Sequence, residues 1–143
     1  MIPYFIDTSV IVRKLFGEPE PWEKWSTLST AYCSRLVRLE LKRTIDRERL
    51  TGHIDDEQVA RLLEHVQRLL SSMHVIDLNA DLLDRAEAPL PTVVKSLDAL
   101  HLVTAVCLQR QLGGPLIFAT HDVAQGRCAR ALGLSLDGAL SNE

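Results

Sequence analysis

Short apolar runs alternate with longer amphipathic stretches along most of this sequence. Because helical patterns separate the runs, they predict a parallel sheet with helices packed against it. The expected fold class is α/β, a three-layer domain with a central parallel sheet of four to five strands. The strands are predicted at residues 2–6, 31–34, 74–78 and 115–120, with a weaker fifth at 134–136.

Four helices are predicted, one from apolar positions that recur every three or four residues and one from a centre that is apolar on nearly all sides. The clearest begins at Asp55, where Asp55-Asp-Glu-Gln58 has the pattern of a capping box. Another covers residues 97–112, with Ser96 as the expected N-cap and Gly113 at its end. The remaining helices are expected at 34–50 and 122–132, a helix boundary at Pro19 and Pro21, and a loop at 89–91.

Composition narrows the class of protein. The chain has 143 residues, of which 46% are hydrophobic and 24% charged, so we expect one globular domain over residues 1–143. Its three cysteines form no Cys-x-x-Cys pair, which favours reduced thiols in a cytoplasmic protein over a zinc site or disulfides. We expect neither export nor a membrane span, because the longest apolar stretch has about half of the roughly 20 residues that a span needs.

Four carboxylates are candidates for a shared site. Ligands of parallel α/β sheets bind beyond the carboxyl ends of the strands, and Asp7 and Asp122 follow the first and fourth predicted strands. Asp98 lies in the first turn of a predicted helix, whose positive end stabilises a carboxylate. Glu40 has apolar neighbours, which indicates that it faces partly inward. Each acid alone also has an ordinary explanation as a turn residue, helix cap or ion-paired surface group.

The residues that flank these acids resemble the motifs of the PIN-domain family and, within it, the VapC-type toxins of toxin–antitoxin pairs. The similar segments follow the family order and span most of the chain, and the first and third are the most specific. After the last acid the chain departs from the family pattern, since Val123-Ala124-Gln125 replaces the residues, commonly basic, that are found there. The segments are YFIDTSVI at 4–11, CSRLVRLEL at 33–41, KSLDALHLVTA at 95–105 and IFATHD at 117–122.

The resemblance implies an endoribonuclease that uses Mg²⁺, or alternatively Mn²⁺, held by Asp7, Glu40, Asp98 and Asp122. Asp7 and Asp98 are the expected primary ligands, and such oxygen ligands suit hard cations. The metal would lower the pKa of a bound water for attack on an RNA phosphodiester. The resemblance also implies a homodimer and a VapB-type antitoxin over a hydrophobic groove, for which residues 22–28 are a candidate wall.

Several neighbouring residues are expected to support the site. His101 shares a helix face with Asp98 and is expected to be buried and hydrogen-bonded rather than catalytic, and His121 is not expected to be a ligand. The hydroxyls of Thr8, Ser9 and Thr120 are expected to hold carboxylates or waters, although Ser9 could instead cap the next helix. The cations expected near RNA are Arg13 and Lys14 after Asp7, Arg35, Arg38 and Lys42 beside Glu40, and the pair Arg43 and Arg47.

A net charge of −3 does not exclude an RNA-cleaving enzyme, because clustered carboxylates are neutralised by the metal that they hold. A haloacid-dehalogenase-like phosphatase would need a second Asp at position 9, where the chain has Ser9. The alternative that stays open is a catalytically inactive PIN-fold module that binds RNA or a protein partner. Retention of all four acids favours the enzyme.

Overall fold

Five short parallel strands form the centre of the computed structural model, which describes residues 1–18, 22–28 and 30–138. The strand order is β3-β2-β1-β4-β5, and every neighbouring pair is parallel. The predicted α/β class and parallel sheet are therefore confirmed, including the weak fifth strand. The strands are β1 (Tyr4–Ile6), β2 (Ala31–Ser34), β3 (His74–Ile76), β4 (Ile117–Ala119) and β5 (Ser135–Asp137).

Six α-helices and one 3₁₀ helix surround this sheet within the described residues. The four predicted helices are present, whereas α1, α4 and the 3₁₀ helix were not predicted because they are too short for a repeating apolar pattern. No helix among the described residues has both the length and the apolar character to cross a membrane. The α-helices are α1 (Thr8–Leu15), α2 (Leu36–Leu50), α3 (Asp56–Ser71), α4 (Ala80–Glu87), α5 (Ser96–Leu112) and α6 (Val123–Ala131), and the 3₁₀ helix is Glu23–Thr27.

The ends of the helices show which of the predicted caps are present. The capping box at Asp55 is confirmed: its carboxylate accepts from the Gln58 N–H at 2.8 Å, and the Gln58 side chain accepts from the Asp55 N–H at 2.9 Å. The prediction for Ser96 was wrong, because Lys95 is the extended residue that precedes α5 and Ser96 is already helical. Gly113 ends α5 in the left-handed conformation, with φ of 70°. Pro19 and Pro21 lie outside the described residues.

The sheet has apolar cores on both faces because neighbouring strand residues point in opposite directions. Phe5 packs with residues of α5 and α6, whereas the adjacent Ile6 packs with residues of α1, α2 and α3. Phe118 and Ala119 in β4 divide between the two cores in the same way. Helices therefore cover both faces, which gives the three layers that were expected.

The order of the strands determines where a ligand can bind. From β1 the chain continues to β2 and β3 on one side, and it later returns to β4 and β5 on the other. The carboxyl ends of β1 and β4 therefore flank the switch point of the sheet, where open α/β sheets bind their ligands. Asp7 lies just beyond β1, and its N–H donates to the Ala119 carbonyl of β4 at 2.9 Å.

Candidate active site

Asp7 is a buried carboxylate at the switch point, with a side chain that is only 5% exposed. It caps α1, and its Oδ2 accepts from the Ser9 N–H at 3.0 Å. Its Oδ1 accepts from the side-chain amide of Gln125 at 3.1 Å. Buried carboxylates require such donors, so α1 and α6 together determine the orientation of Asp7. Because Asp7 is the cap, Ser9 is not, and that alternative for Ser9 was wrong.

Asp98 lies in the first turn of α5, half-buried and close to the other acids. Burial raises the pKa of its carboxyl to about 6, with further increases from the negative charges of Asp7, Asp122 and Glu40 and an opposing effect of His101. The structure thus brings all four predicted acids into one electrostatic environment, although they belong to four separate segments of the chain.

Glu40 reaches from α2 towards the sheet and makes two short side-chain contacts. Its Oε1 accepts from the Thr8 hydroxyl at 2.9 Å and from His101 Nε2 at 2.6 Å. The inward orientation that its apolar neighbours indicated is therefore present, with a side chain that is 24% exposed.

His101 is fully buried between Glu40 and Asp7, as expected for a histidine in the middle of α5. Burial lowers the pKa of its imidazole, but the hydrogen bond to Glu40 and the charges of Asp7, Glu40 and Asp98 outweigh that effect, so the pKa is raised. The expected hydrogen bonding is present at Nε2 but not at Nδ1, which has no partner among the described residues.

Asp122 is the N-cap of α6, and its Oδ1 accepts from the Gln125 N–H at 2.8 Å. The preceding His121 points elsewhere, since its Nδ1 donates to the Gly138 carbonyl at 3.2 Å. Burial is the main reason that the pKa of His121 is lowered, and the nearby Arg13 charge contributes. Asp122 therefore caps α6, and its negative charge also helps to raise the pKa of Asp98, which places it in the acidic cluster.

Hydroxyl groups connect the loops around these acids, as the sequence indicated. Thr8 donates to Glu40, and the Thr120 hydroxyl lies 3.3 Å from Asp7 Oδ2. The Ser9 hydroxyl contacts Thr120 at 3.2 Å and accepts from the His121 N–H, and it meets no carboxylate among the described residues. Thr120 also accepts from the Asp122 N–H at 3.0 Å. Sequence reasoning missed Gln125, which is fully buried against Asp7. Its position three residues after the cap of α6 was a signal, but one that points to a capping box as readily as to a site.

The cluster fits a divalent metal ion by charge and donor type. Carboxylate oxygens are the ligands of hard cations such as Mg²⁺, and a bound cation would offset the repulsion that raises the pKa of Asp98. Within the described ranges, however, no three His, Cys, Asp or Glu side chains are close enough together to form a ready-made ligand set.

Helix geometry corrects the expected arrangement of cations on α2. Residues two positions apart on a helix point roughly 200° apart, so Arg38 and Lys42 lie away from Glu40 rather than beside it. Both instead line a cavity of about 510 Å³ between α2 and α3. Arg43 and Arg47, three and seven positions after Glu40, are the cations on its side of the helix.

The fold and the site together define the class of protein. The sequence model of the PIN domain matches residues 4–130, and the chain belongs to the PIN-domain family. This family membership confirms the resemblance that the four acidic motifs indicated.

The chain is similar to two ribonucleases of Mycobacterium tuberculosis. It is 30% identical to Ribonuclease VapC47 over 82% of this chain and 83% of the relative. It is 29% identical to Ribonuclease VapC46 over 95% of this chain and 97% of the relative. Among solved structures, a chain of VapBC2 from Rickettsia felis bound to a promoter DNA fragment matches with a TM-score of 0.65 and 14% identity, covering 95% of this chain and 98% of that one. Within the PIN family, the chain thus groups with the VapC-type ribonucleases.

Proposed function

We propose that this protein is a metal-dependent endoribonuclease that cleaves RNA phosphodiester bonds as the toxin of a VapBC-type toxin–antitoxin system. The observation that carries the proposal is the convergence of four acids at the switch point, where burial of Asp98, together with the charges of Asp7, Asp122 and Glu40, raises its pKa to about 6. A carboxyl pKa that is raised in this way is typical of functional sites. The similarity to VapC ribonucleases supports RNA as the substrate class.

Asp7 and Asp98 would hold the divalent ion, Mg²⁺ or Mn²⁺, with Glu40 and Asp122 completing its surroundings. When bound, the ion supplies a water of lowered pKa and neutralises charge on the phosphodiester. The chain itself orients the acids: Gln125 and the Ser9 N–H hold Asp7, and His101 holds Glu40. These bonds fix the carboxylates before a substrate arrives, which is how a preorganised site limits the cost of reorganisation.

RNA would approach along the Glu40 side of α2. Arg47 is exposed there and makes no ion pair among the described residues, so it is available for a phosphate. Arg43 is near it but contacts Asp46 at 3.4 Å. Phosphate contacts supply much of the affinity for nucleic acids, so these two side chains would hold the RNA backbone next to the acids.

A VapB-type antitoxin and a second copy of the chain are the proposed protein partners. The VapBC2 assembly among the structural neighbours supports the first. For the antitoxin groove we retain the region of residues 22–28, where Trp22 is buried against Tyr4 and Trp25. Lys14 lies 5.4 Å from the Trp25 ring centroid and also lines a cavity of about 350 Å³ between α1 and α3, which supports a docking surface on this side.

The test is cleavage of a structured RNA by the purified protein in Mg²⁺ or Mn²⁺, with EDTA and two matched variants. Asp98→Asn should abolish cleavage, as should EDTA. Asp56→Asn, which also removes an acid from the first turn of a helix, should cleave like the wild type. Cleavage that persists in EDTA and in Asp98→Asn would refute the metal mechanism. Failure to cleave any RNA, together with tight binding of a partner, would favour the inactive PIN-fold module.

A further inference from the structure

Gln125 is fully buried and contacts three of the four acidic residues through its side chain or its backbone. Its Nε2 donates to Asp7 Oδ1 at 3.1 Å and makes a longer contact, 3.5 Å, with the Asp98 carbonyl. Its backbone N–H donates to Asp122 Oδ1 at 2.8 Å. A buried amide is costly unless its polar atoms are bonded, so these contacts define where the side chain can lie.

The hydrogen bonds around Gln125 have one consistent direction. The Asp7 carboxylate only accepts, so the amide nitrogen of Gln125 must face it and the amide oxygen must face Thr120. Thr120 has a single hydroxyl proton, which goes to Gln125 Oε1 in its shortest contact, 2.7 Å. Ser9 is then the donor in its 3.2 Å contact with Thr120. The chain of donors therefore runs from Ser9 through Thr120 and Gln125 and ends on Asp7.

This arrangement leaves Asp7 oriented but not saturated. Oδ1 accepts from Gln125 and Oδ2 from the Ser9 N–H, and the Thr120 hydroxyl lies 3.3 Å from Oδ2 but gives its one proton to Gln125 Oε1. Each carboxylate oxygen has two lone pairs. We propose that Gln125 is a positioning residue whose amide fixes the Asp7 carboxylate so that a lone pair on each oxygen stays available to a divalent cation. The inference rests on the proposed function, and it adds a residue outside the acidic set that controls metal affinity.

Gln125→Met tests the role of the amide, because methionine keeps the length of the side chain and removes both polar atoms. Mn²⁺ binding to the RNA-free protein, measured by electron paramagnetic resonance, should weaken roughly tenfold, as expected when a partner of a metal ligand is lost. Gln109→Met is the matched control, since the Gln109 side chain bonds, among the described residues, to the Leu116 N–H and the Gly133 carbonyl and to none of the four acids. It should bind Mn²⁺ like the wild type.

A purely structural role would give a different result. Gln125→Met would then lower the melting temperature in EDTA but bind Mn²⁺ with wild-type affinity at a temperature where it is folded, which would overturn the inference. If Gln125→Met does not fold, Gln125→Leu takes its place, because it also removes both polar atoms of the amide and should weaken Mn²⁺ binding roughly tenfold. Unchanged affinity in that variant would equally overturn the inference. If the wild type itself binds no Mn²⁺, the proposed metal-dependent function is refuted. If the wild type binds Mn²⁺ and the variant binds it equally well, only the inference about Gln125 is refuted.

Discussion

Glu40 Oε1 and His101 Nε2 lie 2.6 Å apart and join α2 to α5 across 61 positions of sequence. Because an ionised carboxylate only accepts, His101 Nε2 carries the proton in this contact. His101 Nε2 also lies 3.7 Å from Asp7 Oδ1, so one imidazole is shared between two acids of the site. Burial lowers the pKa of His101, but the hydrogen bond to Glu40 and the charges of Asp7, Glu40 and Asp98 favour a protonated imidazole and raise the pKa overall.

The stability contributed by His101 should depend on pH. A group whose pKa is raised on folding stabilises the protein fully below its unfolded pKa of about 6.5, and this contribution is lost as the pH rises through the folded value. His101→Gln keeps a donor but removes the charge. In EDTA we expect it to unfold with about 1 kcal/mol less free energy than the wild type at pH 6, and with a smaller deficit at pH 9.

Urea unfolding followed by circular dichroism at both pH values measures this difference. His65→Gln is the control, because His65 is exposed on α3. A deficit of equal size at pH 6 and pH 9 would show that the charge of His101 does not contribute.

Asp98 should have the opposite effect on stability at neutral pH. Its pKa rises from 3.8 to about 6 on folding, so the folded state binds more protons in that interval and stability falls as the pH rises through it. Asp98→Asn removes this penalty. We expect the variant to be more stable than the wild type by about 1 kcal/mol at pH 7.5 in EDTA, after allowance for the half-exposed position of the group.

Thermal melts of wild type and Asp98→Asn at pH 4.5 and 7.5 check this expectation. The gain should be much smaller at pH 4.5, where the wild-type carboxyl is protonated. Excess Mn²⁺ at pH 7.5 should stabilise the wild type and not the variant. Equal melting temperatures in EDTA at pH 7.5 would mean that burial and the neighbouring acids do not penalise the charge of Asp98 as its raised pKa indicates.

A tight backbone contact beside the site gives a prediction about stability alone. Gly138 has φ of +91°, and a Cβ there would lie 2.8 Å from the carbonyl oxygen of Thr120. Gly138→Ala should therefore cost about 2 kcal/mol in unfolding free energy, from the backbone conformation and the clash together. Gly133→Ala is the matched control, because its φ is +86° and nothing lies within 4 Å of its Cβ. It should cost about half as much, and equal losses in urea unfolding would contradict the clash.

The sequence predicted the sheet and the long helices because short apolar runs mark strands that are buried on both faces, while the longer stretches bury an apolar face, as in α3, or most of their surface, as in α5. Helix α1 was missed because its eight residues are too few for the apolar pattern to repeat. Capping chemistry succeeded at Asp55, where side chain and backbone bond reciprocally, and failed at Ser96, where no side chain caps the helix. The end of α5 was predicted correctly at Gly113 because its left-handed conformation favours glycine. Local patterns thus predict an end where a side chain bonds to it or where the backbone requires glycine.

The acids could be placed from sequence because each follows a strand or lies in a helix turn with specific neighbours. The residues that orient them could not. Gln125 meets Asp7 across 118 positions, and His101 meets Glu40 across 61, so both contacts depend on how α5 and α6 pack against the sheet. Cations on α2 were misplaced for a simpler reason: nearness in sequence was taken as nearness in space, whereas a two-residue step crosses a helix.

That correction gives a functional prediction that compares two arginines of one helix. Arg47→Ala should raise the KM for RNA about five-fold with little change in kcat, because Arg47 lies on the Glu40 side and, under the proposed function, would contact a phosphate rather than the reacting atoms. Arg38→Ala removes an equal charge from the opposite side, in the cavity between α2 and α3, and should change KM less than two-fold. Repeating the assay over a range of salt concentrations adds a second measurement, since loss of one phosphate contact lowers the salt slope by about one. If the two variants lose RNA affinity equally, RNA binding depends on the net charge of α2 and not on which side of the helix the arginine occupies, which would contradict the prediction.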